Sequence, residues 1–235
     1  MTIRAIEPDQ HRAARVVGVL YLLTMATGVF GLLYARGRLI VGDDAVQTAA
    51  NIVASERLYR LAIVSDLVTL AGVTVLVWAL YVALKPINRN LALLAALLRL
   101  IGTAVAAASV ASALVALQLL SGTAFLRAFD TQQLQVLARV FISGQRFGSQ
   151  VDFVFLGLGS TVFSCLWFQS RYIPRALSAL GILGSLMLAI GGLAILLFPI
   201  LEDVLTIAYM MPLGVFEVIL GLWLLFKGVR APVVG

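Results

Sequence analysis

The chain has 235 residues, 62% of them hydrophobic and only 12% charged, with a mean hydropathy of +1.05. A soluble domain of this size cannot hide so much apolar surface, and several runs reach about twenty apolar residues, the length of a membrane span. The net charge of +6 is no nucleic-acid signal, because the basic residues sit in short clusters at span ends, where topology places them.

Residues 1–15 form a polar tail, with Arg4, Arg12 and Arg15 against Glu7 and Asp9. The first span is expected over 16–35. Its flank, Tyr34-Ala35-Arg36-Gly37-Arg38, does not have the small-residue form of a signal cleavage site, so the span reads as a retained helix. Tyr21, Thr24, Gly28 and Gly31 share one face, the expected packing face. Residues 36–60 make the first long connection. There Gly42-Asp43-Asp44 gives a turn and N-cap signal, and 45–55 reads as a short amphipathic helix with Ile52 and Val53 among its apolar residues. The second span, 61–84, carries Asp66 and is closed by Lys85-Pro86.

The third span, 91–120, has a single charge, Arg99, on a seam with Ala95, Ala96, Gly102, Thr103, Ala106 and Ala107. Small residues of this kind let helices approach closely, so the guanidinium is expected to turn into the bundle. Residues 121–149 form the second long connection. Asp130 or Thr131 is expected to cap a second short amphipathic helix through Ser143, with Leu134, Leu137, Val140 and Phe141 on one side. The fourth span, 150–169, carries Asp152 near its start and Gly157-Leu158-Gly159-Ser160, read as packing. After the basic turn Arg171-Tyr172-Ile173-Pro174-Arg175, the fifth span, 176–198, offers Gly181, Gly184, Gly191 and Gly192 as close-packing points. A short acidic turn, 199–203, leads to the sixth span, 204–226, with Pro212 and Glu217 inside it.

The expected fold is therefore an all-α integral membrane protein, a six-helix bundle with two short outer amphipathic helices. A tail at 1–15, one transmembrane domain at 16–226 and a tail at 227–235 complete the plan. Six spans put both termini on one side. That side holds 9 basic residues against 2 acidic ones, and the other holds 7 against 6. The positive-inside rule then puts the termini in the cytoplasm and the two long connections outside the plasma membrane. An 86-residue offset aligns Asp44 with Asp130, Arg60 with Arg146, Asp66 with Asp152, Lys85 with Arg171 and Arg89 with Arg175. These same-sign matches point to a parallel repeat of spans one–two and three–four, followed by a C-terminal hairpin. Two hairpins with similar loops would also space their charges alike.

Four residues carry the site expectations. Arg99 and Glu217 lie about 12 and 15 Å from the same end of their spans at 1.5 Å per residue, so they are expected to pair. Such a pair either holds a ligand or moves a proton, or it only fixes helix register; Arg99 could also snorkel to the surface. Asp66 and Asp152 are expected near the outer face, with Arg60 and Arg146 available to neutralise them. They act either as acids in a partly dry site or as charges favourable at a helix N-terminus. Tyr21, Trp78, Tyr81, Trp167, Tyr172, Tyr209 and Trp223 read mostly as interfacial anchors. The only cysteine, Cys165, lies in an apolar span and the only histidine, His11, in the tail. No disulfide framework, metal site or cofactor motif is therefore expected.

The run RVVGVLYLLTMATGVFGLLYARGRLIVGDDAVQTAANIVASERLYRLAIVSDLV, with LKPINRNLALLAALLRL and SRYIPRALSALG, resembles a bacterial multi-pass membrane family known only as domain of unknown function 4386. The likeness covers most of residues 15–230. It implies a bacterial integral membrane protein and brings no activity to transfer. Many members have His at the position of Gln145, so the resemblance does not carry a histidine-dependent activity over to this chain. The leading functional expectation is binding or permeation of a small lipophilic or amphiphilic molecule at Arg99, Glu217, Asp66 and Asp152. The alternative is a membrane enzyme on a lipid or isoprenoid-like substrate with Asp66 and Glu217 as catalytic acids; an accessory structural subunit is the third reading. Expected partners are membrane lipids, with oligomers possible through small-residue helix faces.

Overall fold

The computed structural model describes residues 7–42 and 44–230, the side chains of 125 and 203–207 excepted. Arg4, Asp43 and residues 231–235, which enter the expectations above, lie outside the described residues. Among the described residues seven long or α-helical segments follow one another, besides short 3-10 turns at Ala124–Ala128 and Pro199–Leu201: α1 (Pro8–Leu39), α2 (Ala45–Ala54), α3 (Glu56–Leu84), α4 (Arg89–Leu120), α5 (Thr131–Ser170), α6 (Arg175–Leu197) and α7 (Glu202–Phe226). No strand occurs among the described residues. Six of these helices, all but α2, are long and apolar enough to cross a membrane. The protein is an all-helical, multi-pass membrane protein.

Local chemistry sets the helix starts. Proline at the first turn loses no hydrogen bond, and Asp9 beside it meets the positive end of the helix dipole, so α1 begins at Pro8. The polar stretch before residue 16 is thus helical from Pro8, and Gln10 is buried there with its amide donating to the Ala83 carbonyl at 3.1 Å. The Asp44 carboxylate accepts from the Gln47 backbone N–H at 2.9 Å and caps α2. Asp130 caps α5 by accepting from Gln132 N–H at 2.9 Å, while Gln133 reaches back to Asp130 N–H at 3.4 Å. That reciprocal pattern is a capping box.

Two elements depart from the sequence expectation. The second outer helix does not end at Ser143: α5 runs unbroken for 40 residues, about 60 Å, because it contains no proline and Gly144 and Gly148 just past Ser143 only weaken a helix without breaking it. Its buried positions there are Ala138 and Ile142, whereas Leu137, Val140 and Phe141 are exposed. In lipid the polarity of packing is inverted, with small residues facing protein and large apolar ones facing hydrocarbon. The other departure is in α1, which is regular to Val29 and then π-helical over Phe30–Arg36.

The helices contribute to two compact units. Unit 1 comprises residues 1–25, 72–103 and 150–235. Its core is built on Leu76, Leu80, Leu84, Phe163, Trp167, Phe216, Leu220 and Leu224. Within it α6 and α7 approach at glycines: a Cβ on Gly184 would fall 2.7 Å from Leu213 N, and one on Gly181 would fall 2.6 Å from the Phe216 ring. Gly191 and Gly192 do the same against Tyr209 and Val154. Unit 2 comprises residues 26–71 and 104–149. Ile52, Tyr59, Ile63, Val110, Ala113, Ala116, Leu117, Ala138 and Ile142 form its core. The aromatic anchors divide. Trp78 is exposed, whereas Tyr21, Trp167, Tyr172 and Tyr209 are buried in the core of unit 1.

Candidate functional site

In unit 1, α4 and α5 meet at a glycine that leaves room for the one charge in the third span. A Cβ on Gly159 would lie 2.7 Å from Arg99 Cγ and 2.9 Å from the Ala95 carbonyl, so the helices approach at backbone distance there. Arg99 is 3% exposed, and its Nη1 donates to the Ser160 hydroxyl at 2.8 Å. Three residues along α4, a Cβ on Gly102 would fall 2.5 Å from a carboxylate oxygen of Asp152. Asp152 therefore reaches across the same seam, with Arg99 as its charged neighbour.

Glu217 approaches from α7. That helix is fixed on one side by Gly184 of α6 and on the other by α1, where a Cβ on Gly18 would fall 2.8 Å from the Gly221 carbonyl. Glu217 Oε1 stops 4.0 Å from Arg99 Nη1, with side-chain exposures of 3% for Arg99 and 16% for Glu217. That separation is an ion pair but not a hydrogen bond. Arg99 Nε is buried with no hydrogen-bond partner. Tyr21 is buried too, and the charged groups acting on its phenol are Glu217 and Arg99. The cluster thus contains one guanidinium, two carboxyl groups, a hydroxyl and a phenol.

Asp66 belongs to unit 2, where its surroundings differ from those expected. Both its oxygens accept from Arg36, with Nη1 to Oδ1 at 3.1 Å and Nη2 to Oδ2 closing the fork. The Gln145 amide also donates to Oδ2, at 3.1 Å. Gly31 makes room, since a Cβ there would lie 3.2 Å from Asp66 Oδ1. The π-helical stretch ends at Arg36, and its wider turn sets the direction from which that side chain leaves the helix. Tyr59, fully buried, is acted on by both Arg36 and Asp66.

Arg60 does not neutralise Asp66; it pairs with Glu56 at 2.6 Å, with both side chains largely exposed. Arg146 does not meet Asp152 but lies over the Phe147 ring, 5.8 Å from its centroid. The physical reason is helix periodicity: six residues is well short of two turns and points away, whereas four brings side chains to one face. The sequence reading also passed over Ser160, Tyr21, Arg36 and Gln145 as site members. Tyr21 had a usable signal, because it shares a face with Thr24 and Gly31, all three buried. Arg36 had none, since a π-helical turn leaves no mark in the hydrophobic pattern. Among the described residues no three His, Cys, Asp or Glu side chains gather as metal ligands.

No curated protein and no solved structure matches the chain. Residues 16–228 do match a family model, and the chain belongs to that family, described as Domain of unknown function (DUF4386).

Proposed function

We propose that the protein binds, or passes across the membrane, a small amphiphilic molecule whose polar head lodges against Arg99, Glu217 and Asp152. The observation that carries this reading is the open geometry of the pair: Arg99 and Glu217 stand 4.0 Å apart while Arg99 Nε lacks a partner. A buried donor left unmet costs about 1–3 kcal/mol, so a pair that serves structure alone is expected to close, and a guest group supplies the missing contacts. Asp66 is left out of the proposed contacts, because its carboxylate is engaged by Arg36 and Gln145. We place the protein in a bacterial plasma membrane with both termini cytoplasmic, on the strength of the asymmetry in basic residues. Lipids are its surroundings and the natural source of such a molecule.

The test compares what wild-type protein and the isosteric variant Glu217→Gln retain through purification in mild detergent. Organic extracts of both are analysed by mass spectrometry. A small amphiphile enriched with the wild type and depleted from the variant, at equal amounts of folded protein, is the expected result. Indistinguishable extracts overturn the proposal.

A further inference from the structure

The charges around Arg99 narrow the chemistry of the guest, and this step rests on the binding reading above. One guanidinium faces two carboxylates, Glu217 at 4.0 Å and Asp152 across Gly102. Among the described residues, the other elements of unit 1 bring no second cation to this place. Tyr21 is the titratable group that α1 presents to it, and residues 72–84 of α3 carry only Tyr81. In α6 the only charged residue is Arg175, at its first position. Besides Glu217, α7 contributes Tyr209, which is turned to Gln150 and donates to its side-chain oxygen at 3.1 Å. On α5 the remaining titratable group in this unit is Cys165. Every other described Lys or Arg of unit 1 stands in a turn or within about two turns of a helix end.

Arg99 thus cannot match both acids, and the second carboxyl is either a costly anion in hydrocarbon or holds a proton that an incoming cation can displace. The unmet Arg99 Nε adds the complementary demand for an acceptor oxygen. We infer that the head taken by this site carries an ammonium group with a hydroxyl or carbonyl oxygen close to it. The ammonium donates to Glu217 and Asp152, and the oxygen accepts from Arg99 Nε. An anionic head meets two carboxylates and is rejected. A neutral head leaves one of them unmatched.

Three amphiphiles of equal chain length test the inference near neutral pH: N-decylethanolamine, which is cationic with a hydroxyl, monodecyl glycerol ether, which is neutral, and decanoate, which is anionic. Binding is measured on nanodisc-held protein relative to empty nanodiscs, which removes partition into lipid. The expected order is amine, ether, carboxylate, with the amine favoured over the ether by about tenfold, the scale of one partly desolvated charge contact. Asp152→Asn and Glu217→Gln should each remove most of that preference. Equal affinities, or preference for decanoate, in the wild type overturn the inference whether or not the variants fold. Preference retained in both variants also overturns it, since the selectivity then arises elsewhere. If all three probes bind alike and Arg99→Leu abolishes the binding, the binding reading stands and only the cationic head falls. If none binds above empty nanodiscs, both fall.

Discussion

A double-mutant cycle on Arg99 and Glu217 probes the centre of the proposed site. Two unit charges 4.0 Å apart attract by about 4 kcal/mol at an effective permittivity of ~20. Most of this is offset by removing an almost fully buried guanidinium from water, which leaves about 1–3 kcal/mol for the loss of one partner. The structure also predicts an order. With Glu217→Leu, Arg99 keeps the Ser160 hydroxyl at 2.8 Å and Asp152 as a charged neighbour. With Arg99→Leu, both carboxyl groups lose the one cation near them among the described residues. Arg99→Leu should therefore cost more than Glu217→Leu, and adding Asp152→Asn should raise the cost of Glu217→Leu by about 1 kcal/mol. Reversible unfolding in mixed micelles, followed by helical circular dichroism, measures each step. A coupling energy below about 0.5 kcal/mol between Arg99 and Glu217 would refute the reasoning, because independent sites add to within that margin.

Three further predictions use the same unfolding assay or simple fusions. Asp66→Asn turns one acceptor into a donor facing the donors of Arg36 and Gln145, and should cost about 2–3 kcal/mol; a change under ~0.5 kcal/mol would show that the fork is idle. Gly157→Ala should cost about 1–3 kcal/mol, because its Cβ would meet backbone atoms, Ala189 N at 2.5 Å and the Ser185 carbonyl at 2.6 Å. Gly28→Ala opens onto free space and should instead be neutral or stabilising by up to ~1 kcal/mol, so equal losses at the two glycines count against the seam argument. Reporter fusions at Asp44 and Asp130 should read as external and those at Asn88 and the C-terminus as cytoplasmic; a cytoplasmic reading at Asp130 overturns the proposed orientation.

What could be read from the sequence was whatever depends on composition and one-dimensional spacing. Six apolar stretches separated by charged turns give the spans, since hydrocarbon demands about twenty apolar residues and little else. The glycines of α6 were legible as contact points for the same reason, because in lipid only small residues allow backbone approach. Partner choice was less legible. Arg99 and Glu217 could be matched by depth alone, whereas the partner of Asp66 depends on the π-helical turn before Arg36, which shifts that side chain around the helix. The end of the second outer helix failed for a related reason. Nothing between Thr131 and Ser170 forbids helix, and amphipathic and apolar stretches share one period, so only length and not pattern separates them. At the 86-residue offset, Asp44 and Asp130 each cap a helix by accepting from a backbone N–H. The neighbours of Asp66 and Asp152 are not equivalent, because Arg36 serves one and Arg99 the other.

The two arginine–carboxylate pairs provide an internal standard for each other. Arg36 and Asp66 show a closed pair in this sequence: a planar fork, two acceptor oxygens in use and the Gln145 amide on one of them, although Arg36 Nε, like Arg99 Nε, is buried without a partner. Arg99 is more deeply buried, where an incomplete shell costs more, yet it is joined to the protein by one hydroxyl and faces Glu217 across a gap. The glycines at 102 and 159 already bring backbones together on the α4–α5 side, and those at 18, 184 and 221 fix α7, so the close approaches are spent on holding Arg99 and Glu217 in place. A rigid frame around an unfinished pair is the arrangement expected of a site whose remaining contacts come from a guest.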